Sequence, residues 1–227
     1  MFLECPRCFY LDRRLGVARP SIPAFTLNSA VDHLLKKEFD LLRKAKETHE
    51  LMRKYHIDAV PYDHPQIDVW RENFTGIQYL HPETNLLIFG AVDDIWVDPR
   101  GSLAIVDYKS TSTDKEISLE DKWKQGYKIQ MEIYQWLFAK NGFPVSPTGY
   151  FVFANAGKNR AQFDGRLEFA LSILSHTGST AWIEPTLAKI KDALEAAAIP
   201  PPAAECEYCA YSKSRLLAVS QAAKAPA

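Results

Sequence analysis

Apolar positions recur at helical spacing from Asn28, a good N-cap residue, to about Tyr55. Val31, Leu34, Leu35, Phe39, Leu42 and Ala45 make one stripe, with Lys36, Lys37, Arg43, Lys44 and Lys46 outside it. This pattern predicts a long helix, and His33 lies beside its stripe rather than in it. Before it, residues 2–16 read as a short helix that Arg19-Pro20-Ser21-Ile22-Pro23 ends. After it, residues 56–68 carry two prolines and read as a loop. Three strands are then expected near 74–81, 85–97 and 102–109, the middle one apolar on both faces as a central strand would be. A helix over 118–141 stops at Asn141-Gly142, and Gly149-Tyr150-Phe151-Val152-Phe153 lies within a buried strand over 147–156. Residues 160–173 suggest a further strand. Residues 179–198 form an Ala-rich helix whose regular part begins near Pro185 and which Pro200-Pro201-Pro202 ends.

This order implies an α/β fold, with a mixed central β-sheet flanked by helices. One domain is expected over 1–215, followed by a disordered tail over 216–227. No internal repeat is visible.

Three charges interrupt the apolar strands. Asp93 follows Leu86-Leu87-Ile88-Phe89, and Asp107 and Lys109 close Leu103-Ala104-Ile105-Val106. Charges in such a setting are costly unless paired or bound to a metal. Asp107 and Lys109 share a face because side chains alternate along a strand. With Pro99-Arg100-Gly101 as the loop, Asp98 faces Ser102 and Asp93 comes opposite Asp107. Opposed Cβ atoms lie about 4.5–5.5 Å apart, so these carboxylates repel unless a cation lies between them. Oxygen ligands suit Mg²⁺ or Mn²⁺. A lysine beside a metal-bound water orients it and stabilises negative charge on a phosphate. The plain alternative is an ordinary ion pair on a solvated hairpin. Asp94, on the opposite face, reads as structural.

Within the helix over 118–141, Trp123, Tyr127, Gln130 and Tyr134 recur on one face, with Lys122, Lys124 and Lys128 beside it. An aromatic face is ordinarily core. A glutamine within it needs a partner when buried, and this mixture also suits holding a DNA strand or a water.

Composition narrows the field. The 227 residues are 47% hydrophobic and 12% aromatic, enough for a real core. The net charge of −1 gives no global argument for a polyanion, so any such surface is local. No apolar run approaches the roughly 18 residues of a membrane span. The start has no basic region or long apolar stretch of a secretory signal, so a cytoplasmic, intracellular protein is expected. All four cysteines fall in two Cys-x-x-Cys pairs, Cys5/Cys8 and Cys206/Cys209. In a reducing compartment these favour metal or cluster ligation over disulfides. A shared site would join the N- and C-terminal segments. It would take tetrahedral Zn²⁺ or a 4Fe–4S cluster, shielded by Phe9, Tyr10, Tyr208 and Tyr211. The start so close to Cys5 also suggests that a few residues precede it.

Gly90-Ala-Val-Asp93, then Ile105-Val-Asp107-Tyr-Lys109, then Gln130-Met-Glu-Ile-Tyr134 resembles the PD-(D/E)XK nuclease superfamily. The closer resemblance is to its RecB-type branch, which includes CRISPR-associated iron–sulfur exonucleases. It runs from about Cys5 to Cys209 and implies a restriction-endonuclease-like core. By that resemblance Asp93, Asp107 and the carbonyl of Tyr108 ligate Mg²⁺ or Mn²⁺, and Lys109 positions the attacking water. Gln130 and Tyr134 fix substrate or Lys109, and His33 adds a metal ligand that predicts a preference for manganese. The implied protein is a metal-dependent DNA nuclease, exonuclease-like on single strands or DNA ends, acting in repair, recombination or defence. Without a helicase motif, a helicase or a CRISPR or repair partner would supply unwinding. The family has one cysteine near its start and three near its end. This chain has two and two, with Arg215 near the place of a final cysteine. Iron–sulfur is the reading taken, with zinc the alternative. The rival function is a non-catalytic module that binds nucleic acid or a partner, but binding alone does not require both acids and Lys109.

Overall fold

The computed structural model describes residues 1–21, 23 and 25–223. In chain order its elements are α1 (Pro6–Leu15), α2 (Thr26–Ala45), α3 (Glu50–Lys54), β1 (Val60–Pro61), α4 (Ile67–Trp70), β2 (Ile77–His81) and β3 (Leu86–Gly90). Then come β4 (Asp94–Val97), β5 (Leu103–Thr111), α5 (Gln125–Lys140), β6 (Thr148–Ala156), β7 (Phe169–Thr177), α6 (Ile183–Glu195) and α7 (Glu207–Ala222). Contacts divide the chain into two compact units. One is Phe25–Ile183, the other Met1–Ala24 with Glu184–Ala227.

The larger unit is built on a five-stranded sheet of order β1-β4-β5-β6-β7. Only the β5–β6 pair is parallel, as the intervening α5 allows, and the other neighbours are antiparallel, so the sheet is mixed. The centre is β5, whose residues Leu103 to Tyr108 are all buried, as expected of a strand covered on both faces. On one face Trp96, Val106, Tyr108, Val152, Ala154 and Ile173 pack with Leu35 and Phe39 of α2 and with Leu51 and Met52 of α3. Phe39 is fully buried and stacks on Trp96 with ring centroids 5.5 Å apart. Truncating such a ring costs about 3–5 kcal/mol. Asp107 and Lys109 alternate with Tyr108 and belong to the other face, where α5 supplies Tyr127 and Gln130.

Several elements differ from expectation. The helix expected over 28–55 is two helices, because Lys46 takes a left-handed conformation (φ 57°) and His49 caps α3 by accepting the Leu51 N–H at 2.9 Å. No glycine or proline marks that stop. Leu34, expected in the buried stripe, is exposed. The single strand expected over 85–97 is also two. Its first half, β3, pairs only with β2 in a separate two-stranded sheet; after Ala91-Val92-Asp93 the chain enters the main sheet as β4. The central strand is therefore β5. The presumed loop over 56–68 contains β1 and the start of α4, and the strand expected over 160–173 lies at 169–177.

In the smaller unit, Pro6 opens α1, and Gly16 (φ 69°) ends it with its N–H on the Asp12 carbonyl at 3.2 Å. Arg7 donates to the Pro200 carbonyl at 2.9 Å and Tyr10 to that of Ala196 at 3.0 Å, tying α1 to the C-terminal segment. Residues 216–222, expected within a disordered tail, continue α7, and residues 224–227 of that tail lie outside the described residues. Among the described residues no helix is long and apolar enough to cross a membrane.

Candidate active site and cysteine cluster

The β4–β5 hairpin closes on Asp98, whose carboxylate accepts the N–H groups of Arg100 and Ser102 at 2.9 and 2.8 Å. Gly101 (φ 84°) takes the left-handed position this turn needs. The ladder pairs Val97 with Leu103 and Asp94 with Val106. One step further along this register Asp93 meets Asp107, as the sequence implied. The ladder stops at Asp94, however, and Asp93 engages β5 through its side chain, whose Oδ2 accepts the Tyr108 N–H at 2.8 Å.

Two adjacent aspartates thus take opposite faces. Asp94 is completely buried. It pairs with Arg43 and Arg71, accepts the Tyr108 hydroxyl at 2.8 Å and takes its neighbour's Ile95 N–H at 2.8 Å. Burial pushes the Tyr108 hydroxyl well above its ordinary pKa, and the Asp94 charge adds to this, so it remains a donor. Asp93 keeps 23% of its side chain exposed.

Asp107 lies on the Asp93 side and is 3% exposed. Burial first, and the neighbouring Asp93 charge second, raise its carboxyl from the ordinary range to about 7. The Lys109 ammonium lies against Asp107 Oδ2, yet that oxygen receives no hydrogen bond. Two carboxylates side by side, one protonating near neutrality and carrying an orphaned oxygen, fit a hard divalent cation that would satisfy both.

The Lys109 head is held from α5. Its ammonium donates to Gln130 Oε1 at 3.4 Å and sits 4.5 Å from the centre of the Tyr127 ring. Gln130 in turn donates to the Tyr134 hydroxyl at 2.7 Å. Burial pushes that hydroxyl up to about 12. The aromatic face foreseen along 123–134 therefore divides: Tyr127, Gln130 and Tyr134 turn inward, while Trp123, in the short helical turn Lys122–Lys124 before α5, is 64% exposed.

Two residues of α2 complete the surroundings. The Lys36 ammonium lies 2.9 Å from Asp32 Oδ2 and 3.1 Å from Asp93 Oδ1, a cation between two acids. Burial works to lower its pKa, but Asp93 and Asp32 together raise it above the ordinary value. A cavity of about 300 Å³ opens here, lined by Asp32, Asp93, Tyr108, Lys109 and Tyr127 among others. His33, by contrast, is exposed and is not among the residues lining this cavity. Sequence reasoning missed Asp32 and Lys36. Their signal was the i, i+4 acid–base spacing, which on a helix ordinarily means a solvated ion pair.

In the smaller unit the cysteines converge. The ligand atoms of Cys5, Cys8, Cys206 and Cys209 all lie within 4.8 Å of one another. The Sγ atoms of Cys8 and Cys206 are 3.5 Å apart, those of Cys8 and Cys209 3.6 Å, and those of Cys5 and Cys209 3.8 Å. All four are free thiols, and the group joins the N- and C-terminal segments. Burial acts to raise the Cys5 thiol, but the N–H groups of Ala203 and Cys8 outweigh it and hold Cys5 at about 6. Burial and the neighbouring sulfurs push Cys209 up to about 12.

A family model for the PD-(D/E)XK nuclease superfamily matches residues 1–214. Among solved structures, the one described as "Crystal structure of SSO0001" shares 18% identity, covers 93% of this chain and 81% of its own, and superposes with a TM-score of 0.40. No curated protein matches the chain.

Proposed function

The chain belongs to the PD-(D/E)XK nuclease superfamily, and from that premise we propose that it is a Mg²⁺- or Mn²⁺-dependent deoxyribonuclease. The observation that carries this reading is the convergence of Asp93, Asp107 and Lys109 at one site, with Lys109 gripped from α5. Asp93, Asp107 and the carbonyl of Tyr108 would hold the ion. Asp32, which lines the same cavity, is a better placed further ligand than the exposed His33 on which the sequence reading relied. When bound, such an ion supplies a more acidic water and stabilises charge on phosphate and leaving oxygen.

The side chains do the rest. Lys109 directs its ammonium at the attacking water or a phosphate oxygen. Gln130 positions that ammonium, and Tyr134 fixes the Gln130 amide by accepting from it. Single-stranded DNA or a frayed end is the proposed substrate. The exposed Trp123 offers a base-stacking surface beside Tyr127. Unwinding would come from a helicase or another repair or defence partner.

The test is to incubate the full chain with end-labelled single- and double-stranded DNA and Mg²⁺, Mn²⁺ or a chelator, beside Lys109→Ala. Divalent-dependent degradation by the natural protein and its loss in the variant are expected. Equal degradation by both proteins, or none by either, would overturn the reading.

A further inference from the structure

We infer that Cys5, Cys8, Cys206 and Cys209 hold a single tetrahedral Zn²⁺ rather than the 4Fe–4S cluster that the resemblance to iron–sulfur nucleases implies. The spacing of the sulfurs decides between the two. Four thiolates sharing one zinc at Zn–S of about 2.3 Å occupy the corners of a tetrahedron with edges of about 3.8 Å. The sulfurs here lie 3.5, 3.6 and 3.8 Å apart across the two pairs. In a 4Fe–4S cluster each thiolate binds a different iron. Irons and sulfides then fill the space between the ligands, and the cysteine sulfurs stand well apart. No sulfur of this group is farther than 4.8 Å from any other, so the set closes around one ion and does not fit a four-iron cube.

The backbone builds this spacing from two equivalent halves. Cys5 is the extended residue immediately before α1, and Cys8 is the third residue of that helix. Cys206 and Cys209 stand in the same two places at α7. Each half therefore grips from a helix N-terminus, where backbone N–H groups and the helix dipole favour a thiolate. The Ala203 N–H also donates to Cys5 Sγ at 3.4 Å. The departure from the family pattern, two and two instead of one and three, is what makes the halves alike. Cys5 is fully buried, Cys8 is 5% exposed and Cys206 9%, and Cys209 is partly exposed. Four protein ligands with no open position describe a structural zinc site. Four thiolates on Zn²⁺ leave two negative charges, and the Arg19 guanidinium beside Cys8 compensates one of them while stacking over the Tyr208 ring, 4.4 Å from its centre.

The test needs no nuclease activity. The full chain is produced in medium containing both iron and zinc, purified without oxygen, and analysed for metals, acid-labile sulfide, visible absorption and zinc X-ray absorption. Expected are one zinc per chain, no sulfide, a colourless protein and four sulfur neighbours at about 2.3 Å. Replacement of that zinc by Co²⁺ should give the intense visible bands of a tetrahedral tetrathiolate. Four irons with four sulfides per chain would overturn the inference, as would one iron, or a folded chain with no bound metal. Cys209→Ser should lose most of the zinc. If that variant does not fold, the metal content and cobalt spectrum of the unaltered chain still decide.

Discussion

Gly90 and Tyr134 leave no room for a side chain between them: a Cβ on Gly90 would overlap Cε1 of the tyrosine ring. The glycine of the Gly-x-x-Asp motif is thus required by α5 rather than by its own backbone angles. Gly90→Ala should push the ring aside, break the 2.7 Å Gln130–Tyr134 hydrogen bond and loosen Lys109. Overpacking of this kind costs about 1–3 kcal/mol. Nuclease activity should fall on the order of tenfold, which corresponds to about 1.4 kcal/mol of lost transition-state stabilisation. Thermal denaturation and cleavage rates check this together; an unchanged rate with an unchanged melting temperature would show that Tyr134 does not act through Gln130.

Asp32 and His33 are adjacent on α2, and only Asp32 reaches the cavity. If the further metal ligand is Asp32, Asp32→Ala should weaken Mn²⁺ binding at least tenfold, the scale on which even outer-shell partners of metals act. His33→Ala should leave it nearly unchanged. Calorimetric titration of Mn²⁺ into both variants separates them, and the reverse ranking would restore the histidine.

That contrast shows what the sequence could and could not convey. The hairpin register was legible because one turn and the alternation of Leu103 to Lys109 determine it, and the ladder indeed pairs Asp94 with Val106. That Asp93 and Asp94 point to opposite sides was legible because successive side chains of an extended chain alternate. Periodicity does not say which residue of a helix meets a distant strand, so it gave no sign of Asp32, and His33 entered only through the family resemblance. Nor does it reveal a strand that changes sheets. Residues 86–92 carry no polar side chain to mark a boundary, and the break at Ala91-Val92-Asp93 is set by pairing partners, Ile77 on one side and Val106 on the other. The cysteine pairing was visible as a motif, whereas the distance between sulfurs exists only in three dimensions.

Asp94 should prove a stability residue with no direct part in the chemistry. It is completely buried between Arg43, Arg71 and the Tyr108 hydroxyl. Asp94→Ala leaves two guanidinium groups without their shared anion, and breaking such a buried set costs about 3–5 kcal/mol. Urea denaturation measures it directly; a loss below about 1 kcal/mol would mean that Asp40, which Arg71 also reaches at 2.9 Å, carries the pairing.

Asp107 gives the site a pH dependence whose sign follows from its environment. Its carboxyl is raised from the ordinary 3.8 to about 7 by burial and by Asp93. The folded chain therefore binds this proton more tightly than the unfolded chain does. The resulting stabilisation is fully present below about pH 4, declines as pH rises and is gone above about pH 7. Without divalent ions, the protein should lose stability across that window, and Asp107→Asn should remove this component. A divalent cation demands the ionised carboxylate, so the two ligands compete for Asp107. Mg²⁺ or Mn²⁺ should consequently bind more weakly below pH 7 and release close to one proton per ion there, falling towards none at pH 8.5. The rise in melting temperature on adding Mn²⁺ should be larger at pH 8 than at pH 6. Thermal scans at the two pH values, with and without Mn²⁺ and beside Asp107→Asn, measure the effect; a shift of equal size at both would show that the ion does not need the Asp107 carboxylate.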